Sequence, residues 1–412
     1  MGRGDRISDI PPPIACSGAG NWRRATPDGK MVTASSGDSD SNFPVVIMTY
    51  TDRGNNFMLS TFSGVYIRSE TNMHSTVNSN IFFKLIKRHP LIMFFAMSIL
   101  SIWLIDLLLV GLLKLEVYTF LHIGSFSPAL SAMLIMAVMK PGRAKALSRT
   151  QIITFVFFVI FAGALRWISR IWWEHDMSWK VIPGDIILVL IAAYVASSAF
   201  SGRIGVRKLM QPMFNWRISW VWYAFALLFW PALTFAGNVI AGFLSIPVPA
   251  GPTIPNVPIL LAIPVTFFWT IFFNGALPEE PGWRGFALPR LQSRFNPLTA
   301  SIILGFFWGA FHWSGLLVGY RNDFSWLSLF IVTFGEIGLA IMYTWLYNRL
   351  KGRSLLPFIL LHASMNSTND YLPRTALIQY ILLTIIIIVM VFADRMWKRL
   401  SINSEEQIIT DS

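Results

Sequence analysis

The chain has 412 residues, of which 54% are apolar and 13% charged, with a mean hydropathy of +0.55. Soluble domains carry about twice that charged share, so ordinary soluble composition is excluded; a lone cysteine, Cys16, excludes an intrachain disulfide framework and a zinc–thiolate cluster. The 33 Lys and Arg against 21 Asp and Glu leave a net charge of +12, which points either to nucleic acid or to membrane topology, depending on where the basic residues sit.

Residues 1–80 mix both charges with Gly, Ser, Asp, Asn and Pro and show no sustained helical period, so they are expected to be disordered or weakly structured. They hold no secretory signal, because Ile10-Pro11-Pro12-Pro13-Ile14-Ala15 is too short and too proline-rich. Met73-His74-Ser75-Thr76, ahead of Phe82-Phe83-Lys84, reads as a natural chain start. From residue 91 onward apolar runs recur, and a crossing needs about 20 residues. Ten are expected, at 91–113, 117–139, 151–169, 184–200, 218–243, 258–278, 298–317, 325–347, 355–370 and 375–393. The ninth is short and polar at its end, which fits a re-entrant or tilted segment and makes the total nine plus a partial span. The expected fold class is all-α, a polytopic transmembrane helical bundle over 81–400 with about 8–10 spans, followed by a cytoplasmic tail at 401–412.

Cytoplasmic loops collect Lys and Arg, and alternate loops here differ sharply. One set holds Lys84, Lys87, Arg88, Lys140, Arg143, Lys145, Arg149, Arg203, Arg207, Lys208, Arg217, Arg290, Arg294, Arg349, Lys351, Arg353, Arg395, Lys398 and Arg399. The other holds Lys114, Arg166, Arg170, Lys180, Arg321 and Arg374. The asymmetry predicts both termini in the cytoplasm and makes the net charge a topology signal. The expected partner is therefore the lipid bilayer, and no nucleic acid.

Ionisable side chains inside spans are costly to bury and are the candidates for chemistry. Asp106 has no basic residue at helical spacing, and His122 and Asp185 sit near span ends; these read as interhelical hydrogen bonds or interfacial groups. Asp370 stands at a helix end. Glu336, in Phe334-Gly335-Glu336-Ile337-Gly338, leaves two readings open: close helix packing around a carboxyl, or a supporting role in a site.

Leu277-Pro278-Glu279-Glu280-Pro281-Gly282-Trp283-Arg284 places two adjacent carboxylates beside an apolar stretch, with Arg284 four residues after Glu280. On a helix Glu280 and Arg284 share a face and pair, while Glu279 projects about 100° away. A break between 278 and 281 is expected, with Pro281 opening a new turn; in lipid such a break is viable only where it lines a cavity. Phe307-Trp308-Gly309-Ala310-Phe311-His312 puts a histidine in mid-span, which alone reads as one bond to a neighbouring helix. Leu360-Leu361-His362-Ala363-Ser364-Met365-Asn366 adds His362 and Asn366 at i and i+4, a weak pattern that gains weight from its apolar setting. Counted at about 1.5 Å per residue from the nearest basic residue, Glu279 lies roughly 16–22 Å deep, His312 roughly 25 Å and His362 roughly 14 Å. One site in the cytoplasmic half of the membrane, in a conical polar cavity facing the cytoplasm, is expected.

Hydrolysis of a peptide bond needs an activated water, donors for the oxyanion and a proton for the leaving amine. A glutamate and a histidine in an apolar cavity activate the water, and a second histidine with an asparagine amide supplies the donors. With no G-x-S-x-G elbow, and Cys16 outside the membrane region, a covalent nucleophile is the weaker option. Glu279, His312 and His362 also make an alternative zinc set. No H-E-x-x-H occurs, and spacing leaves metal-bound and metal-free water both open; no other cofactor is expected.

Glu279-Glu280-x-x-x-Arg284, an aromatic four residues before His312, and His362-x-x-x-Asn366, in this order on hydrophobic helices, resemble the type II CAAX prenyl endopeptidases and their bacterial relatives. That group is the CPBP (CAAX protease and bacteriocin-processing, or Abi) family of glutamate-dependent intramembrane proteases. Glu280-Pro281-Gly282-Trp283-Arg284-Gly285-Phe286-Ala287-Leu288-Pro289-Arg290-Leu291-Gln292 is close to the bacterial wording of the first motif. The resemblance covers about 90–395 and is strongest from 258 to 370, with the family-like core at about 218–395. It implies Glu279 as general base, His312 holding the water, His362 and Asn366 lining the oxyanion site, and Glu280 and Arg284 supporting them. It also implies a bacterial inner-membrane protein whose substrate is an unmodified peptide or membrane-protein segment. Trp308 departs from the Phe usual in the second motif and implies a reshaped cavity; the spans near 151–169 and 184–200 are additional to the usual core.

The expected function is thus that of an intramembrane endopeptidase acting on a membrane-associated peptide or protein through Glu/His-activated water. The alternative is a non-catalytic membrane scaffold or peptide-immunity protein of the same fold. A transporter with a carboxylate proton relay is a third class, and no internal repeat supports it.

Overall fold

The computed structural model describes residues 22–25, 31–36, 46–52, 55–58, 79–140, 148–174, 178–249, 257–320 and 324–400. The chain divides into two compact units, Met1–Thr76 and Val77–Ser412. In the first, β1 (Trp22–Ala25), β2 (Met31–Ser36), β3 (Val46–Asp52) and β4 (Asn55–Met58) form an antiparallel meander in chain order, with Trp22 opposite Ala34, Met31 opposite Thr51 and Thr49 opposite Met58. These short strands are the regular structure described in the segment expected to be disordered or weakly structured. Cys16 and Met73 lie outside the described residues.

The second unit is helical. Its elements are α1 (Ser79–Arg88), α2 (Pro90–Leu104), α3 (Val117–Ser125), α4 (Ser127–Met139), α5 (Arg149–Ser169), α6 (Ile182–Ser197), α7 (Ile204–Met210), α8 (Trp220–Phe243), α9 (Ile259–Phe273), α10 (Ala276–Glu280), α11 (Leu288–Gln292), α12 (Pro297–Leu317), α13 (Trp326–Leu350), α14 (Leu356–Tyr371) and α15 (Ala376–Ala393). Among the described residues nine helical stretches are long and apolar enough to cross a membrane, from Pro90–Leu112 to Ala376–Ala393, and the chain is an integral multi-pass membrane protein. The run expected at 258–278 continues to Gln292, and α14, at 16 residues, is the short ninth segment expected from the sequence. Local chemistry sets the helix starts. Asn296 caps α12 by accepting from Thr299 N at 2.8 Å, with Pro297 at the first position, and Ser325 with Ser328 closes a capping box on α13.

Successive crossings alternate in direction, and the loops on each face tie to one another. On one face Leu355 N donates to Pro212 O (3.0 Å), Asn215 Nδ2 to Arg353 O (2.8 Å) and Leu298 N to Met396 O (3.0 Å), while Arg349 pairs with Asp394. On the other, Asn238 Nδ2 donates to Pro373 O (2.7 Å), and the rings of Tyr118 and Tyr320 meet edge to face. The first face carries the basic loops and is termed the basic face.

Two packing features fix the relative placement of the crossings. Gly305 and Gly309 of α12 let α13 approach so closely that a Cβ on Gly305 would stand 2.4 Å from Ile337 Cα, and one on Gly309 2.9 Å from Thr333 Cα. Arg166 and Arg170, expected in a loop, are instead buried near the end of the α5 crossing. Both hold Asp185 of α6, Arg166 Nε at 2.7 Å and Arg170 Nε at 2.8 Å, and both reach Thr119. Asp185 thus makes the interhelical bond expected of it and joins the two additional spans to α3.

Candidate active site

Asn274 and Gly275 interrupt the apolar helix between α9 and α10. Gly275 takes φ +92° with ψ −47°, backbone that other residues rarely adopt. The break expected at 278–281 therefore stands a few residues earlier, for a physical reason. Pro278 falls in the first turn of α10, where a missing N–H has no helical partner to lose, and Pro281 is absorbed by a widened π-helical turn over Pro281–Ala287. Gly282 permits close packing there, since a Cβ would meet Pro128 at 2.6 Å.

The two glutamates take different surroundings. Glu279 Oε2 accepts from the indole N–H of Trp308 at 2.7 Å and from that of Trp283 at 3.2 Å. Glu280, fully buried, accepts at Oε1 from Arg284 Nη1 at 3.1 Å and from His362 Nδ1 at 2.8 Å. Arg284 is also fully buried; its guanidinium carbon lies 4.0 Å from the ring centre of Trp308 and 4.2 Å from that of Tyr343. Two aromatic faces thus replace water around the cation on the sides that Glu280 does not cover. The i, i+4 pairing of Glu280 with Arg284 is as expected from the sequence.

His362 donates through Nδ1, so its Nε2 is turned the other way. A Cβ on Gly275 would stand 2.4 Å from that Nε2 and 3.3 Å from Glu279 Oε1, so base and imidazole converge on one small space beside the break. His312 lies on α12, with Nδ1 donating to the Trp308 carbonyl at 2.9 Å and Glu336 Oε1 3.9 Å away across the α12–α13 contact. Asn366 Nδ2 donates to Asn274 O at 2.8 Å, so this side chain fastens the interrupted backbone.

One cavity of about 760 Å³ takes in Glu279, His312, His362 and Asn366, together with Asp106 and Glu336. Glu280 and Arg284 stand behind its wall, in contact with it through His362 and Trp308. Asp106 accepts from Ser314 Oγ at 2.6 Å, the interhelical bond expected of it, and also faces the cavity. His122 bonds the Tyr118 carbonyl and packs against Trp269. Four features escaped the sequence reading: the Asn274-Gly275 break, the indole donors of Trp283 and Trp308, and the opposition of Glu336 to His312. An Asn-Gly pair inside an apolar run is a turn signal, and a buried indole needs an acceptor, so the first three had sequence traces.

Among the described residues no three His, Cys, Asp or Glu side chains stand close enough together to hold a metal ion. Glu279, His312 and His362 share the cavity, but do not form a zinc ligand set in this arrangement.

The family model described as type II CAAX prenyl endopeptidase Rce1-like matches residues 259–368. A curated CAAX prenyl protease 2 from Methanococcus maripaludis is 32% identical over 120 residues, which make up 27% of this chain and 42% of that protein. The chain thus spans less than half the length of this relative. The matched stretch runs from α9 into α14 and contains Glu279, Glu280, Arg284, His312, His362 and Asn366. By this match and this relative, the helical core over residues 259–368 is similar to the Rce1-like CAAX prenyl endopeptidases.

Proposed function

We propose that the protein is an intramembrane endopeptidase that hydrolyses a peptide bond of a membrane-associated peptide or protein with water activated by Glu279. The observation that carries this reading is the convergence of Glu279 Oε1 and His362 Nε2 on the space beside Gly275. Two indole donors fix Glu279 Oε2 and leave Oε1 to take a proton from water. The water oxygen bonds to the substrate carbonyl carbon, and the carbonyl oxygen gathers negative charge. His362, doubly protonated, donates Nδ1–H to Glu280 and Nε2–H to that oxygen, and the second N–H of Asn366 adds a donor. The C–N bond then breaks, and the proton held on Glu279 passes to the leaving amine. His312, with Nδ1 committed to the Trp308 carbonyl, offers Nε2 as a further partner for the water.

The name of the relative, a CAAX prenyl protease, supports peptidase activity for this core. We assign the protein to a bacterial inner membrane with its basic loops cytoplasmic, and no metal to the reaction. The test is cleavage of a panel of fluorogenic peptides and membrane-protein fragments by protein in lipid nanodiscs. The expected result is cleavage by the wild type that is lost in Glu279→Gln and His312→Ala and retained with a chelator. Equal cleavage by all three proteins overturns the reading, and loss with the chelator replaces metal-free water with zinc-bound water.

A further inference from the structure

The arginines differ in what balances them. Arg166 and Arg170 hold Asp185, and Arg284 holds Glu280; on the basic face even the half-exposed Arg349 holds Asp394. Arg290, at the end of α11, is partly buried and meets no carboxylate among the described residues. Its Nη1 donates to the Phe286 carbonyl at 3.0 Å, its guanidinium carbon lies 3.9 Å from the centre of the Phe286 ring, and Nη2 reaches Sδ of Met136 on α4 at 3.4 Å. A thioether and an aromatic ring shield the cation without neutralising it.

Two lysines from other elements join it. Lys140 closes α4 by donating its N–H to Met136 O at 3.0 Å, so it stands one turn beyond the residue that Arg290 touches. α7 packs against the same place through Gly205, where a Cβ would stand 2.2 Å from Met136 O and 3.1 Å from Lys140 Cβ. Lys208 follows three residues later, on the same side of α7 and exposed. Burial, with Lys208 and Arg290 close by, holds the Lys140 ammonium below the ordinary lysine value. Residues 141–147 add Arg143 and Lys145 to the sequence and no carboxylate.

A preference for basic cytoplasmic loops accounts for the number of these cations and not for their convergence, because like charges repel and partial burial strengthens the repulsion. The arrangement calls for an anion. A guanidinium fork with two ammonium groups matches the several oxygens of a phosphate. The level in the membrane selects the source: Lys140 directly follows the crossing Val117–Met139, and Arg290 lies at the end of the stretch Leu260–Gln292, both where lipid headgroups begin.

We propose that Arg290, Lys140 and Lys208 bind the phosphate of an anionic phospholipid in the leaflet that adjoins the basic face. The headgroup ties the ends of α4, α7 and α11 together. Since α11 ends the helical stretch that carries Glu279 and Glu280, the lipid also steadies that stretch from its outer end. The site does not depend on the peptidase reading.

The test is native mass spectrometry of the full chain titrated with phosphatidylglycerol or phosphatidylcholine, paired with thermal unfolding in phosphatidylcholine nanodiscs with and without phosphatidylglycerol. The expected result is selective retention of phosphatidylglycerol and a higher unfolding temperature in its presence. Lys140→Gln and Lys208→Gln are each expected to weaken phosphatidylglycerol binding about fivefold, and Arg290→Met about 10- to 100-fold. Lys398→Gln, which removes an exposed cation of the same face that does not act on Lys140, is expected to bind as the wild type does. If Arg290→Met does not fold, the two lysine variants carry the test. Equal retention of both lipids, or wild-type binding by the lysine variants, overturns the proposal. Inorganic phosphate that stabilises the protein in phosphatidylcholine nanodiscs as much as phosphatidylglycerol does, and loses that effect in Lys140→Gln, assigns the site to a soluble anion and overturns the lipid.

Discussion

Replacing Gly275 with alanine puts a methyl group where the site has no room for one. Its carbon would stand 2.4 Å from His362 Nε2 and 2.8 Å from Cε1, against about 3.5 Å for an ordinary contact, so the imidazole or the interrupted backbone must shift by about 1 Å. The same methyl lies 3.3 Å from Glu279 Oε1, in the space where base and imidazole converge. A misplacement of about 1 Å costs on the order of 100-fold in rate, and a non-glycine residue in this backbone conformation costs about 1–3 kcal/mol of stability. The expected outcome is a protein that still elutes as a folded species from size-exclusion chromatography in detergent and unfolds at a somewhat lower temperature. Peptide cleavage per folded molecule is expected to fall by about two orders of magnitude. Gly242→Ala is the matched control: it sits in a helix outside the cavity lining with open space around it, and its rate is expected to equal that of the wild type. Cleavage by Gly275→Ala at the wild-type rate would refute the placement of the reacting atoms beside this residue.

Trp308→Phe keeps a smaller ring beneath Arg284 and removes the N–H from which Glu279 accepts. A hydrogen bond to a charged group is worth about 1.5–3 kcal/mol, so kcat is expected to fall by about 10- to 100-fold with KM little changed, which steady-state kinetics on a fluorogenic peptide would show. Arg284→Met leaves Glu280 buried with His362 as its remaining partner, and a loss of about 3–5 kcal/mol is expected in a chemical unfolding titration. Arg284→Lys is not expected to restore stability, because a compact ammonium cannot cover Glu280 while filling the gap between Trp308 and Tyr343. Asp185→Ala removes the carboxylate shared by two buried guanidinium groups far along the chain from the site; lower thermal stability with unchanged turnover per folded molecule is expected, and lost turnover would give the additional spans a catalytic role.

The crossings were legible because each is a long apolar run whose length the bilayer dictates. The pairing of Glu280 with Arg284 was legible because helical spacing alone decides it. The cost of burying polar groups and the spacing of the motifs singled out the six candidate residues, and the resemblance implied a role for each; what sequence could not give was the contacts among them. Glu280 meets His362, Arg284 meets Trp308 and Tyr343, and Asn366 meets the Asn274 carbonyl, each across to another segment, and periodicity within one helix says nothing about those neighbours. The misplaced break has the same origin. Pro281 is the obvious helix breaker in the motif, but a π-helical turn accommodates it, while the left-handed glycine a turn earlier does the breaking. Arg166 and Arg170 read as loop cations because their partner, Asp185, sits on a different crossing.

The bond from Asn366 to the Asn274 carbonyl changes how a loss of function at position 366 is to be interpreted. Where the chain leaves helical geometry inside a bilayer, each stranded peptide group has to find a substitute partner. Pro278 lowers that demand by lacking an N–H in the new first turn, and Asn366 meets part of what is left. An inactive Asn366→Ala protein would therefore not by itself identify an oxyanion donor, because the same change loosens the bend that aims Glu279. Reading stability beside rate separates the two contributions. In Asn366→Ala a fold-neutral, inactive protein assigns the amide to chemistry, whereas a shared loss of stability and rate assigns it to the bend.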